Sequence, residues 1–105
     1  MDLKLQHRRA LICGGSSGLG RAVATALVAE GVHVILLSRH AASLSEAAEA
    51  LNAMGPGRAG FVTADLADHE GLLKAVDRAE AQLGGPVEIL LNNTGGAAPA
   101  RGGGG

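Results

Sequence analysis

The chain has no tyrosine and no tryptophan, and Phe61 is its only aromatic residue. A mechanism that uses a phenol as acid or base is therefore closed to these 105 residues acting alone. Cysteine is nearly as scarce. The single Cys13 makes no internal disulfide and has no second thiol for a metal site, which agrees with a reducing compartment. Neither sign of charge predominates: 9 basic and 10 acidic residues leave a formal net charge of -1. With no like-charge block, binding to nucleic acid or to a membrane surface has no electrostatic support. Long apolar runs are missing as well. The polar, basic start of the chain gives way only to residues 10–13, too short for a signal segment or a membrane span, so a cytoplasmic protein is expected. The histidines His7, His33, His40 and His69 share no ligand spacing, and no metal site is expected from them.

Glycine, by contrast, is plentiful at 17 residues, and its placement is informative. The stretch Leu11-Ile12-Cys13-Gly14-Gly15-Ser16-Ser17-Gly18-Leu19-Gly20-Arg21-Ala22 reads as strand, tight turn and helix start. Such a turn leaves the first N–H groups of the helix unpaired beside the positive end of its dipole, where a phosphate can sit. Gly14 suits a positive φ in the turn. The missing Cβ at Gly18 and Gly20 lets a pyrophosphate approach the backbone and lets the helix pack against the strand. A dinucleotide is the leading ligand, and a glycine turn with no ligand is the plain alternative. The spacing Gly14-x-x-x-Gly18-x-Gly20 is not G-x-G-x-x-G, which would need a glycine at Val23. Nor is it a P-loop, which would need Lys and Ser or Thr at Arg21 and Ala22.

Strand and helix signals alternate along the rest of the chain. Strands are predicted at 9–13, 32–38, 59–64 and 87–91, and helices at 19–30, 43–54 and 68–83. The first helix should turn Leu19, Ala22, Val23, Ala26 and Leu27 inward, with Gly31 ending it. The second should open on a capping box of Ser43 and Glu46, bury Leu44, Ala47, Ala48, Leu51 and Met54, and stop at Gly55-Pro56-Gly57. The third should bury Leu72, Leu73, Val76, Ala79 and Leu83 before Gly84-Gly85-Pro86. Residues 97–105 are Ala, Pro, Arg and Gly and cannot bury enough surface to order themselves, so one domain over 1–96 with a disordered tail is expected. This alternation calls for an α/β fold, a Rossmann-like doubly wound parallel sheet of four strands in the order 3-2-1-4 with three helices. The switch point then falls between strands one and four, bringing the loops at Gly14 and Asn92 side by side.

These residues resemble the short-chain dehydrogenase/reductase family, and within it the β-ketoacyl reductases, over residues 3–96. The resemblance rests on Cys13-Gly14-Gly15-Ser16-Ser17-Gly18-Leu19-Gly20 for T-G-x-x-x-G-x-G, on Asp65-Leu66 after strand three, and on Leu91-Asn92-Asn93-Thr94-Gly95 for N-N-A-G. Cys13 and Thr94 depart from the pattern, each by one small residue for another. The resemblance implies that Gly14, Ser16, Ser17, Gly18, Leu19 and Gly20 line the phosphate turn. It also implies that Asp65, with the Leu66 backbone beside it, accepts the adenine amino group, and that Asn93 and Gly95 contact the adenosine ribose. A turn cap is the alternative role for Asp65.

Where NAD enzymes of this plan carry an acidic residue at the end of strand two, this chain has Ser38 followed by Arg39. Serine does not repel a 2′-phosphate and arginine presents a fork to it, so NADP(H) is preferred over NAD(H). A solvated arginine is the alternative. The family's catalytic Ser, Tyr and Lys are implied to lie in a half absent here, so no residue of this chain is assigned a catalytic role. The first reading is the dinucleotide-binding half of an NADP(H)-dependent oxidoreductase. The others are a stand-alone nucleotide-binding or interaction module, and a non-functional fragment. In the second of these readings the chain pairs through the exposed apolar strand from Val87 to Leu91, whose unpaired edge invites self-association.

Overall fold

The structure is a computed structural model that describes residues 5–15 and 18–92. Its elements are β1 (Arg9–Cys13), α1 (Gly18–Ala29), β2 (His33–Ser38), α2 (Ala41–Asn52), β3 (Ala59–Thr63), α3 (His69–Leu83) and β4 (Ile89–Asn92). All strand pairs are parallel, and the sheet order is β3-β2-β1-β4, as the alternation predicts. The result is a Rossmann-like doubly wound sheet of four strands and three helices. The expected tail 97–105 lies outside the described residues.

Successive side chains of a strand point to opposite faces, and β1 and β2 are apolar on both. Ala10, Ile12, Val34 and Leu36 join Ala24 and Val28 of α1 and Leu44, Ala47 and Leu51 of α2 in one core. Leu11, Cys13, Ile35 and Leu37 join Ala75 and Ala79 of α3 in the other. Complete burial of a Leu, Ile or Val is worth about 1.5–3 kcal/mol, so the two central strands carry much of the fold's stability. The α2–β3 connection packs tightly on the first βα unit. Gly57 donates its N–H to Val28 O at 3.0 Å, and a Cβ there would collide with the Val32 carbonyl.

Three local expectations are corrected. The inward column of α1 is Gly20, Ala24 and Val28, flanked by Val23 and Leu27, while Leu19 is 64% exposed and Ala22 and Ala26 face solvent. The smallest residues meet the sheet because they let the helix axis come close, which a periodicity of apolar residues does not register. In α3 the same choice buries Ala75 and leaves Leu73 53% exposed, and Met54 lies beyond the end of α2 and is also exposed. The capping box is absent. The N-cap of α2 is His40 with no side-chain cap, and Glu46 instead forms a two-point ion pair with Arg21 of α1 at 3.0 and 3.1 Å. Finally, β4 begins at Ile89 because Val87 and Glu88 are engaged otherwise. The Val87 N–H donates to the Glu80 carboxylate at 2.7 Å, and the Glu88 carboxylate accepts the Arg9 N–H at 3.0 Å.

Candidate functional site

At the carboxyl ends of β1, β2 and β3, Gly14, Ser38, Arg39, His40, Asp65, Leu66 and Ala67 line a hollow of about 360 Å³. Five residues singled out from the sequence, Gly14, Ser38, Arg39, Asp65 and Leu66, therefore share one site. His40 and Ala67 were not assigned to it. Their only signal was adjacency, one after Arg39 and the other closing the turn after Asp65. The end of β4 pairs Asn92 with Cys13, so the β1–β4 switch point borders the same edge. Ser16, Ser17, Asn93 and Gly95 lie outside the described residues.

Local chemistry explains how each residue is held. Gly14 has φ 78°, and its N–H donates to Leu37 O at 2.7 Å, so it shapes the turn and its amide is spent within the sheet. Phosphate binding would fall to amides further along. Gly18 has φ 62°, and apart from its chain neighbours and the backbone of α1 no atom of the described residues lies within 4 Å of where a Cβ would stand. Leu19 is exposed, whereas Gly20 is buried on the inward face of α1.

Asp65 serves its turn with one oxygen: Oδ1 accepts the Ala67 N–H at 2.9 Å. The other oxygen has no partner among the described residues and is available to a donor such as an exocyclic amine.

The hollow holds one guanidinium, Arg39, and one carboxylate, Asp65. Ser38 Oγ accepts the His40 N–H at 3.2 Å, and no carboxylate stands at the end of β2. Arg39 has no ion pair among the described residues. Immediately after it, α2 starts with no acidic residue in its first turn and no capping side chain, so its free N–H groups add to the guanidinium charge. The nearest acid along α2, Glu46, is occupied by Arg21, whose hydrogen bond and charge hold the carboxyl below its usual range. Burial pushes the Cys13 thiol up, which makes it a neutral packing residue. The residues present thus fit the adenosine end of a phosphorylated dinucleotide: an open glycine turn, a carboxylate oxygen for the base, and an unpaired guanidinium.

Two other hollows lie elsewhere. One of about 230 Å³ between α3 and β4 is apolar and includes Leu72, Leu73, Val76 and Leu90. Another of about 330 Å³ lies at the amino ends of β2 and β3. Among the described residues no three His, Cys, Asp or Glu side chains are grouped to hold a metal, and no helix is long and apolar enough to cross a membrane.

Comparison with known proteins places this geometry. The L-xylulose reductase of Mesocricetus auratus is 41% identical over 93 residues, covering 89% of this chain and 34% of that protein. The structure of L-sorbose reductase from Gluconobacter frateurii complexed with NADPH and L-sorbose superposes with a TM-score of 0.86 at 35% identity, covering 96% of this chain and 38% of the other. An NAD+-bound xylitol dehydrogenase shares the fold with a TM-score of 0.77 at 23% identity, covering 83% of this chain and 33% of the other. The chain thus spans about a third of the length of the relatives it matches. The profile of the family described as short chain dehydrogenase matches residues 8–102, and the chain belongs to the short-chain dehydrogenase/reductase family.

Proposed function

We propose that residues 1–96 form the dinucleotide-binding portion of an NADP(H)-dependent oxidoreductase that interconverts a carbonyl and a hydroxyl group, working in a reducing compartment. The observation that carries this reading is the meeting of Ser38, Arg39 and Asp65 in one hollow, beside the uncapped start of α2. Arg39 grips the 2′-phosphate in two places, the Ser38 hydroxyl lies beside it without repulsion, and the start of α2 adds its dipole. Asp65 orients the adenine through the amino group, with the Leu66 backbone alongside. Gly14, Ser16, Ser17, Gly18, Leu19 and Gly20 provide the turn for the pyrophosphate, and Asn93 and Gly95 approach the ribose. When bound, the nicotinamide supplies or accepts a hydride. No tyrosine is present, so the acid or base that serves the substrate oxygen comes from outside these 105 residues. The NADPH held by the sorbose reductase supports the cofactor preference, while the NAD+-bound relative, at 23% identity, shares only the fold.

Titration of the chain with NADPH and NADH, followed by calorimetry, tests this. Wild type should favour NADPH by about tenfold or more, and Arg39→Asp should cancel that preference, since a charge-assisted phosphate contact contributes about 1.5–3 kcal/mol. Equal or tighter binding of NADH by wild type would overturn the cofactor assignment. Loss of both ligands in wild type would overturn the site.

A second reading is favoured by Leu73 and Leu90, which are 53% and 65% exposed beside the apolar hollow next to β4. On its own, the 105-residue chain self-associates through this edge.

A further inference from the structure

At the end of the sheet opposite Arg39, His33 opens β2 and stands where three segments meet. Its Nδ1 accepts the backbone N–H of Arg58 at 3.3 Å, so the neutral ring carries its proton on Nε2. Its own N–H donates to Arg8 O at 2.9 Å, in the lead-in before β1. The ring of His7, from the same lead-in, lies 5.7 Å away at a 46° tilt, held by an N–H bond to Gly31 O in the α1–β2 turn and by a left-handed backbone at φ 68°. Arg58 belongs to the α2–β3 connection, and its carbonyl accepts the Val34 N–H at 2.8 Å.

The charges around this ring are of one sign. His7 faces it from the lead-in and Arg58 from the α2–β3 connection, and Arg9 is its partner in register on β1. From α3 come only Gln82 and Leu83, which line the same hollow. The Glu88 carboxylate is committed to Arg8 and Arg9, and Glu30, in the α1–β2 turn, forms no described ion pair with His33. An imidazolium here has no anion to meet it among the described residues.

We propose that His33 is an acid-operated latch: a proton on Nδ1 turns its acceptor into a donor, sets it against the Arg58 N–H, and breaks the hydrogen bond that ties this amide of the α2–β3 connection to the start of β2. Burial, followed by the charges of His7 and Arg58, holds its pKa below the ordinary 6.5. The unfolded chain therefore takes up the proton first. The latch contributes fully above that ordinary value and is lost as the pH falls from there through the lowered folded value. Because the hydrogen bond reaches a main-chain amide, the event is legible at a single residue.

Amide exchange of the full 105-residue chain, read by NMR from about pH 7.5 to about pH 5 and corrected for intrinsic rates, tests the latch. Protection at Arg58 should fall with pH while that of Leu36 in the sheet centre holds. His33→Asn places an amide oxygen where Nδ1 stands and has no proton to gain, so its Arg58 protection should stay level across the range. In wild type the ring nitrogens of His33 should report the Nε2–H form until they titrate. The proposal is overturned if wild-type protection is independent of pH, if His33→Asn shows the same fall, or if the neutral ring carries its proton on Nδ1.

Discussion

On β3, the carbonyls that point away from β2 are each taken by a side chain. Asn52 donates to Ala59 O at 2.8 Å, Gln82 to Phe61 O at 3.3 Å and Arg78 to Thr63 O at 3.2 Å, while the Ala59 N–H donates back to Asn52 at 2.9 Å. On β4, at the other margin, the backbone groups of Ile89 and Leu91 on the side away from β1 face no further strand among the described residues, and the neighbouring Leu90 is 65% exposed. A strand edge is a template for another strand unless polar side chains occupy it. The sheet is thus closed on one side by its own helices and left extendable on the other.

The contrast can be broken most forcefully at β4. Leu73→Glu with Leu90→Glu should abolish self-association of the chain, raising its dissociation constant by about a hundredfold, since buried carboxylates without partners cost several kcal/mol. Sedimentation would show it, and a monomeric wild type would remove the premise. On the closed margin, Asn52→Ala should cost about 1 kcal/mol in urea unfolding, because two hydrogen bonds go but water reaches the freed groups. Arg78→Ala and Gln82→Ala should each cost about 0.5 kcal/mol, and together should create a second associating edge that the β4 substitutions do not suppress.

The smallest effect concerns the seam between β1 and β4. The Arg9 N–H bond and then the Arg8 side chain hold the Glu88 carboxyl below its usual range. Its contribution is therefore present above the ordinary 4.5 and is lost as the pH falls through the folded value, a dependence that Glu88→Gln should remove from an acid-unfolding curve.

The order of the strands was legible because short connections and right-handed crossovers leave few ways to arrange four parallel strands. For the same reason Gly14, Ser38, Arg39, Asp65 and Leu66 could be assigned to one place. What was illegible depends on distance in space. Gly20, Ala24 and Ala75 face the sheet because they are small, which an apolar stripe does not weigh. Glu46 satisfies the spacing of a capping box, but Arg21, 25 residues earlier, offers two hydrogen bonds from a guanidinium. Asn52, Arg78 and Gln82 look like ordinary surface residues until the fold brings the β3 carbonyls beside them.

Among the described strands, the first in chain order lies in the interior of the sheet. β1 pairs with β2 through Arg9 and His33, but its other flank waits for Glu88 and Ile89, 79 residues further along. Until β4 has formed, the backbone N–H and C=O groups on that flank have no partner strand, and the long loop closure makes its docking a late step. Over that interval the edge of residues 10–13 is open to pairing with another strand, so a delay in forming β4 prolongs the exposure.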